Sequence, residues 1–395
     1  MKRTARLAMI FFLLFLSPAA GTGAVTLHSY WELFPQFIGG KVWTATELKP
    51  GLDLTMGYLV EGEQHAPEKL HTSLDPFYFT AETEAGVFTF GKFSPQWGYG
   101  PFASVMLSGF APGMVGVKWA DSFYGLDYER FSFWISGERG KLYGHRLEAP
   151  VLPGVRLGVK EVALYMRNFD GMWLCYVPFW PFYFNKYIPS VESTQYDNNN
   201  IGLDLTVDTD KIIFYGDLHV TEFPLGAEKT NLPIYGAKAG IYLKELFWDG
   251  LSLQLEYVRT MNYLYSKSEE SALTAYEYQG RPLGSPLDQD AERLALLAGY
   301  RVNDDLILYL GYRREHKGEG ALGDYYDSLE EGRENLFLSG VVEKRNIPVG
   351  GFWYRVAPGL EVELTAEIQF LENADHEKGE KGTRTTGYLT LCWRF

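Results

Sequence analysis

The residues of this chain best suited to chemistry are rings and cations rather than nucleophiles. "MWLCYVPFWPFYFNKYIP" (172–189) sets Trp173, Trp180 and Tyr183 among Pro178, Pro181 and Pro189. A flat ring can offer its π face to the apolar C–H side of a sugar. The prolines stiffen the backbone and exclude both a central strand and an unbroken helix. "SPQWGYG" (94–100) adds Trp97 and Tyr99. Arg146, Lys160 and Arg167 are suited to carboxylate or phosphate groups, the arginines with bidentate contacts. Plainer readings stand beside these. The rings can be packing material, and Arg146 and Glu148, two apart on one strand face, can simply pair. "YDNNN" (196–200) carries a full charge only at Asp197, so it reads as a turn entering a strand rather than a Ca²⁺ site. The chain has no Gly-x-Ser-x-Gly, His-Glu-x-x-His, Cys-x-x-Cys or phosphate-cradling glycine loop. It is therefore expected to be no enzyme and to need no metal or cofactor.

Such residues need a scaffold, and the two ends of the chain indicate which. Residues 1–24 carry Lys2, Arg3 and Arg6, an apolar run from Leu7 to Leu16, and small residues ending at Ala24. This is a secretory signal peptide, which leaves 25–395 as the exported protein. The formal charge of the whole chain is -14, and losing the basic leader makes it more acidic still. Nucleic acid is excluded as a partner on that ground. Cys175 and Cys392 are the only cysteines, so disulfides are not the framework. At the other end "TGYLTLCWRF" alternates strictly, with Leu389, Leu391, Trp393 and Phe395 on one face. A last strand closing on an aromatic residue is typical of a bacterial outer-membrane barrel, and Phe395 is where the barrel assembly machinery would recognise it.

The same period of two recurs in "KIIFYGDLHVTE" (211–222), "LSLQLEY" (251–257), "DLILYLGYR" (305–313) and "LEVELTAEIQF" (360–370). One face suits lipid and the other water. Tight turns fall at 49–51, 152–154, 208–210, 248–250, 303–305 and 357–359. Long connections fall at 61–75, 93–112, 166–199, 263–289, 316–348 and 372–385. Counting back from the last strand (386–395) to the first (25–31) puts every tight turn at one end and every long loop at the other. The expected fold is all-β: a closed antiparallel transmembrane β-barrel of about 18 strands, both termini periplasmic, with inward-folded extracellular loops. "NLFLSGVVEK" (335–344) can be an additional strand or folded loop.

Three segments resemble the capsule assembly Wzi family of outer-membrane proteins. They are "GKFSPQWGYGPFASVMLSGFAPG" (91–113), "GHRLEAPVLPGVRLGVKEVALY" (144–165) and "PFWPFYFNKYIPSVESTQYDNNNIGLDLTV" (178–207). The resemblance implies an 18-stranded lectin in the bacterial outer membrane that holds capsular or other surface polysaccharide, with outer-membrane lipid as its solvent. On that reading Trp173, Trp180 and Tyr183 grip the polymer at the external mouth and Trp97 and Tyr99 face them, while Arg146, Lys160 and Arg167 take acidic groups. The aromatic loop is expected to fold inward over the mouth, since greasy rings in water invite aggregation. A porin-like channel for small solutes is the alternative.

Overall fold

The structure, a computed structural model, describes residues 25–33, 37–63, 66–100, 104–135, 140–165, 174–182, 184, 198–221, 232, 234–245, 248–266, 275–326 and 328–394. The expected signal peptide and Phe395 lie outside the described residues.

The alternating segments become strands because their apolar and polar residues fit the two faces of one sheet. In chain order these are β1 (Val25–Leu33), β2 (Phe37–Lys49), β3 (Leu52–Glu63), β4 (Ala66–Thr83), β5 (Gly86–Phe93), β6 (Met114–Phe123) and β7 (Leu126–Trp134). Then come β8 (Lys141–Leu152), β9 (Val155–Tyr165), β10 (Asn198–Asp208), β11 (Ile212–Thr221), β12 (Ile234–Lys244) and β13 (Leu251–Thr260). A two-stranded hairpin, β14 (Glu277–Tyr278) and β15 (Arg281–Pro282), belongs to a loop. β16 (Ala291–Asn303), β17 (Leu306–Lys317), β18 (Glu343–Ala357), β19 (Leu360–Glu372) and β20 (Lys381–Arg394) complete the wall.

These strands, apart from the hairpin, form one 18-stranded sheet. Each pairs antiparallel with its neighbours in sequence, and β1 pairs with β20 from Thr26↔Arg394 to Leu33↔Gly387. That last pairing closes the ring and leaves no free edge. The tight turns at 49–51, 152–154, 208–210, 248–250, 303–305 and 357–359 lie at one end, and the long connections at 93–112, 166–199, 263–289, 316–348 and 372–385 lie at the other, together with the short β1–β2 and β3–β4 connections.

The outward face is apolar. Leu203, Leu205, Leu255, Leu294, Leu296, Leu308, Leu310, Leu364, Ile368 and Phe370 are all exposed. Rings border this belt: Phe214, Tyr300 and Tyr354 towards the turn end, Tyr235, Tyr257 and Tyr312 towards the loop end. An apolar band between two aromatic girdles is what a bilayer selects.

One expectation needs correction and one open alternative is resolved. Residues 61–75 are mostly strand, because β3 extends to Glu63 and β4 starts at Ala66. Pro76 lies within β4. The register shifts between Met56 and Tyr58, a bulge that accommodates a residue with no N–H to donate. In 335–344 no additional strand forms: β18 begins at Glu343, and the preceding residues fold over the mouth after a short helix, α1 (Leu329–Glu334).

Candidate functional site

The lumen is filled from the loop end by chain rather than by wall side chains alone. Segment 94–113 turns inward at Trp-Gly-Tyr-Gly. Gly98 and Gly100 have φ of +87° and +96°, and a Cβ on Gly100 would lie 2.7 Å from the Tyr215 ring. Only glycine lets the backbone pass that close to the wall. Trp97 is buried and donates its Nε1–H to Glu129 Oε1 at 2.5 Å. Tyr99 reaches furthest: its ring lies 5.2 Å from that of Tyr215, three residues from the turn end of β11, and its carbonyl accepts from Lys238. Hence Trp97 and Tyr99 do not face the external mouth, contrary to expectation. They descend into the barrel.

The returning strand of the plug is pinned by Asp217. Ser104 Oγ donates to its Oδ2 at 2.5 Å and the Val105 N–H donates to the same oxygen at 3.0 Å. Val105 in turn accepts from Tyr265 Oη at 2.7 Å, and its carbonyl lies 3.1 Å from His219 Nδ1. Residues 261–266 and 275–290 therefore fold inward too. Burial pushes the hydroxyls of Tyr265 and Tyr276 up and keeps them protonated, so Tyr265 can donate to Val105 O while it accepts from the Ser285 N–H. Met106, Leu107, Met114, Phe133, Leu142 and Leu264 form the dry centre. Alternating parity predicted a polar luminal face on β11, but nothing in the sequence singled out Asp217 as the anchor.

Arg146 and Lys160 are in the lumen and already occupied. Arg146 pairs with Glu148 and donates to Asp204 at 2.7 Å and 3.1 Å. Lys160 is wholly buried, ion-paired with Asp217 and 3.5 Å from Asp204. A polymer could meet Lys160 only if the Ser104 segment left. Arg167, Trp173 and Tyr183 lie outside the described residues. Asn198 and Asn200 open β10, and Asn200 Oδ1 lies 2.7 Å from His219 Nε2. No cluster of metal ligands occurs among the described residues.

The aromatic stretch itself is the largest departure. Its described part, Leu174–Phe182 with Phe184, lies on the outward wall over β7–β9, not in the mouth. Strand parity fixes this. Lys160, Val162 and Leu164 face the lumen, so Glu161, Ala163 and Tyr165 face out, and Ala163 and Tyr165 pack with Tyr143, Cys175 and Phe182 in a separate core. Phe179 rests on Tyr128 at 4.5 Å and Phe123 at 5.5 Å, and Phe182 stacks on His145 at 4.5 Å. Trp180 is half-buried within this strap. The physical reason is backbone satisfaction without water. The N–H of Val177 finds Leu174 O, that of Phe179 finds Tyr128 Oη, that of Trp180 finds Val177 O, and that of Phe182 finds Glu161 Oε2. Positions 178 and 181 are proline and have no N–H to satisfy.

At the mouth, the exposed Phe110 ring carries Arg281 of β15 at 5.4 Å, and Tyr325 is exposed nearby in sequence to the α1 segment. Beneath this rim, burial raises the Asp288 carboxyl to about 6, opposed by Lys317 at 3.8 Å. Sequence reasoning missed Phe110, Arg281 and Tyr325, which carry no motif.

No protein-family model matches the sequence, and no curated protein does. Solved structures do. Wzi of Escherichia coli, described as an outer-membrane protein involved in group 1 capsule assembly and a carbohydrate-binding β-barrel, aligns with a TM-score of 0.64 at 14% identity, covering 98% of this chain and 86% of that one. OprD of Pseudomonas aeruginosa aligns at 0.54 and 11%, covering 94% of each chain. OccK2 of the same organism, solved in complex with glucuronate, aligns at 0.52 and 10%, covering 94% of this chain and 97% of that one. Likeness at these identities is likeness of fold: the chain is a bacterial outer-membrane β-barrel of Wzi-like architecture.

Proposed function

We propose that this barrel is a non-catalytic surface lectin that holds capsular or other surface polysaccharide at the outer membrane. The observation that carries the reading is the plug. Residues 94–100 and 104–113 run nearly the depth of the lumen, are pinned on buried Asp217, and are packed by residues 261–266 and 275–290. A general pore needs an open polar constriction, and this arrangement puts a dry core there. With the lumen occupied, the loop-end rim is the working surface. Phe110 with Arg281 on its face, and Tyr325, supply a stacking ring beside a guanidinium, a pairing suited to acidic sugars. Individually weak contacts repeated along a polymer sum to firm retention. The capsule-assembly role described for Wzi fits this reading.

Replacing Phe110, Arg281 and Tyr325 with Ala in a producing strain should leave a folded, heat-modifiable barrel and release polysaccharide into the medium. Unchanged retention would remove the rim as the lectin site. The channel reading is favoured by one feature. Arg313 and Arg345, with side chains 17% and 31% exposed, line the lumen on β17 and β18, away from the plug's dry core.

A further inference from the structure

The outward wall under the aromatic strap carries polar groups where a barrel in lipid should be apolar. One cross-strand row runs Phe88, Trp119, Arg130, His145, Glu161, Ile201, Val220, Tyr235. It starts near the turn end, where Trp119 Nε1 donates to Ala85 O, and finishes at Tyr235 of the loop-end girdle. Arg130, His145 and Glu161 therefore lie at membrane depth. An arginine on the lipid face near the midplane is strongly disfavoured. The strap removes that exposure and its Phe182 N–H reaches Glu161, but among the described residues no carboxylate pairs with Arg130.

Four orphaned atoms sit together there. Arg130 Nη2, Ser132 Oγ, Tyr143 Oη and His145 Nδ1 are buried with no hydrogen bond of good geometry, although the Ser132, Tyr143 and Tyr176 hydroxyls lie close enough to interact with one another and Tyr128 lies beside Arg130. Arg130 is directly opposite His145, and Ser132 directly opposite Tyr143. They are thus the corners of one rectangle on the outward face of β7 and β8, about 7 by 5 Å. Arg130 and Ser132 are each only 9% exposed and Tyr143 not at all. Tyr176 roofs one side, 5.9 Å from the Arg130 guanidinium and 5.6 Å from the Tyr143 ring, and Phe182 roofs His145. Three of the corners are donors as they stand. His145 closes the fourth corner, with its Nε2 3.1 Å from Glu161 Oε2.

Buried polar groups in native proteins find partners, and a buried guanidinium with no carboxylate beside it and two hydroxyls near it calls for an anionic acceptor. We propose that this rectangle binds an anionic phosphate group carried by a phosphorylated glycolipid of the outer leaflet. The position selects the lipid as carrier. Ser132 and Arg130 lie two and four residues inward from Trp134 at the loop end of β7, or about 5 and 10 Å below it for a tilted strand. A headgroup phosphate can be drawn to that depth, with Lys141, 5.5 Å from the Trp134 ring and 3.4 Å from Tyr176 Oη, as a second cation at the rim. The exposed rings of Tyr176, Phe179 and Phe184 then meet the acyl chains. This site is separate from the glycan-holding rim and does not depend on it.

The test uses the full-length barrel extracted in mild detergent. Native mass spectrometry counts co-purified phosphorylated glycolipid, and the delipidated protein is titrated with lipopolysaccharide in one arm and inorganic phosphate in the other. Wild type should retain the lipid. Arg130→Met should lower retention about tenfold or more, the loss expected for a charge-assisted contact. Ser132→Ala, a milder change, should lower it several-fold, and Arg314→Met, on the outward face of β17, should not. Heat-modifiability on gels confirms folding in each case. Equal retention in wild type, Arg130→Met and Ser132→Ala overturns the proposal. Binding of inorganic phosphate with no binding of lipopolysaccharide overturns the lipid as carrier. Lipopolysaccharide binding that depends on Arg130 and Ser132 supports both the anion and its carrier.

Discussion

Asp217→Ala should unfasten the plug without unfolding the barrel. In the native protein one carboxylate oxygen accepts from both Ser104 Oγ and the Val105 N–H, at 2.5 and 3.0 Å, and the other pairs with Lys160. Hydrogen bonds to a charged acceptor contribute about 1.5–3 kcal/mol each, so losing the two that reach the plug costs at least about 3 kcal/mol. Every 1.4 kcal/mol is a factor of about ten, which raises the population of the unplugged state about a hundredfold. Lys160 pushes the same way. With Asp217 gone its nearest carboxylate is Asp204 at 3.5 Å, and an open lumen lets water reach the ammonium. The wall should be unaffected, since its strand pairing does not pass through this side chain. Hydrogen exchange followed by mass spectrometry reads the outcome. Peptides covering 97–108 should lose protection by about two orders of magnitude, while peptides from β16–β19 keep theirs. Asp217→Asn, which keeps the shape, should fall between. If 97–108 in the folded Ala variant exchanges as slowly as in wild type, Asp217 is not the anchor and the packing alone holds the plug.

Three more outcomes follow from the geometry. Glu161→Ala removes the partner of the Phe182 N–H and of His145 together, so the strap should detach, showing as new proteolytic cutting at 174–184 in detergent and a loss of about 2–3 kcal/mol in heat-modification stability. The Asp288 carboxyl, raised to about 6 in the fold from its ordinary 3.8, binds protons more tightly when folded; its contribution therefore favours the 261–290 segment at pH 5 and is lost as pH rises through 6. Exchange of 261–290 should be slower at pH 5 than at pH 7 after correction for intrinsic rates, and Asp288→Asn should abolish that difference. Epitope tags at 208–210 should be hidden in whole cells and tags at 318–323 accessible; the reverse would invert the barrel.

The wall was legible in the sequence because a period of two with an apolar face has one good solution in a membrane. "LEVELTAEIQF" points Leu364, Ile368 and Phe370 outward and buries Glu367, as its alternation requires. The strap was misplaced for a physical reason. Rings and prolines suit any dry surface, and they do not say whether that surface is inside or outside the barrel. The telling signal lay elsewhere, in "LDYERFSFW", whose outward positions Tyr128, Arg130, Ser132 and Trp134 are too polar for bare lipid. A polar outward face calls for a cover, and the strap is that cover. Trp97 and Tyr99 were assigned to the correct inward-folding loop but to the wrong depth, because chain composition does not encode how far a loop descends. Arg146 and Lys160 fell on the expected luminal face, where acidic neighbours from β10 and β11 take up their charge.

The central claim, a plugged binding barrel rather than a channel, is tested most directly by the conductance of the purified wild-type protein in planar lipid bilayers. Steady conductance should be absent across the physiological voltage range, because residues 94–100 and 104–113 fill the lumen and are pinned on Asp217. Uniform, long-lived single-channel steps from wild-type protein would contradict the account and establish the channel reading instead.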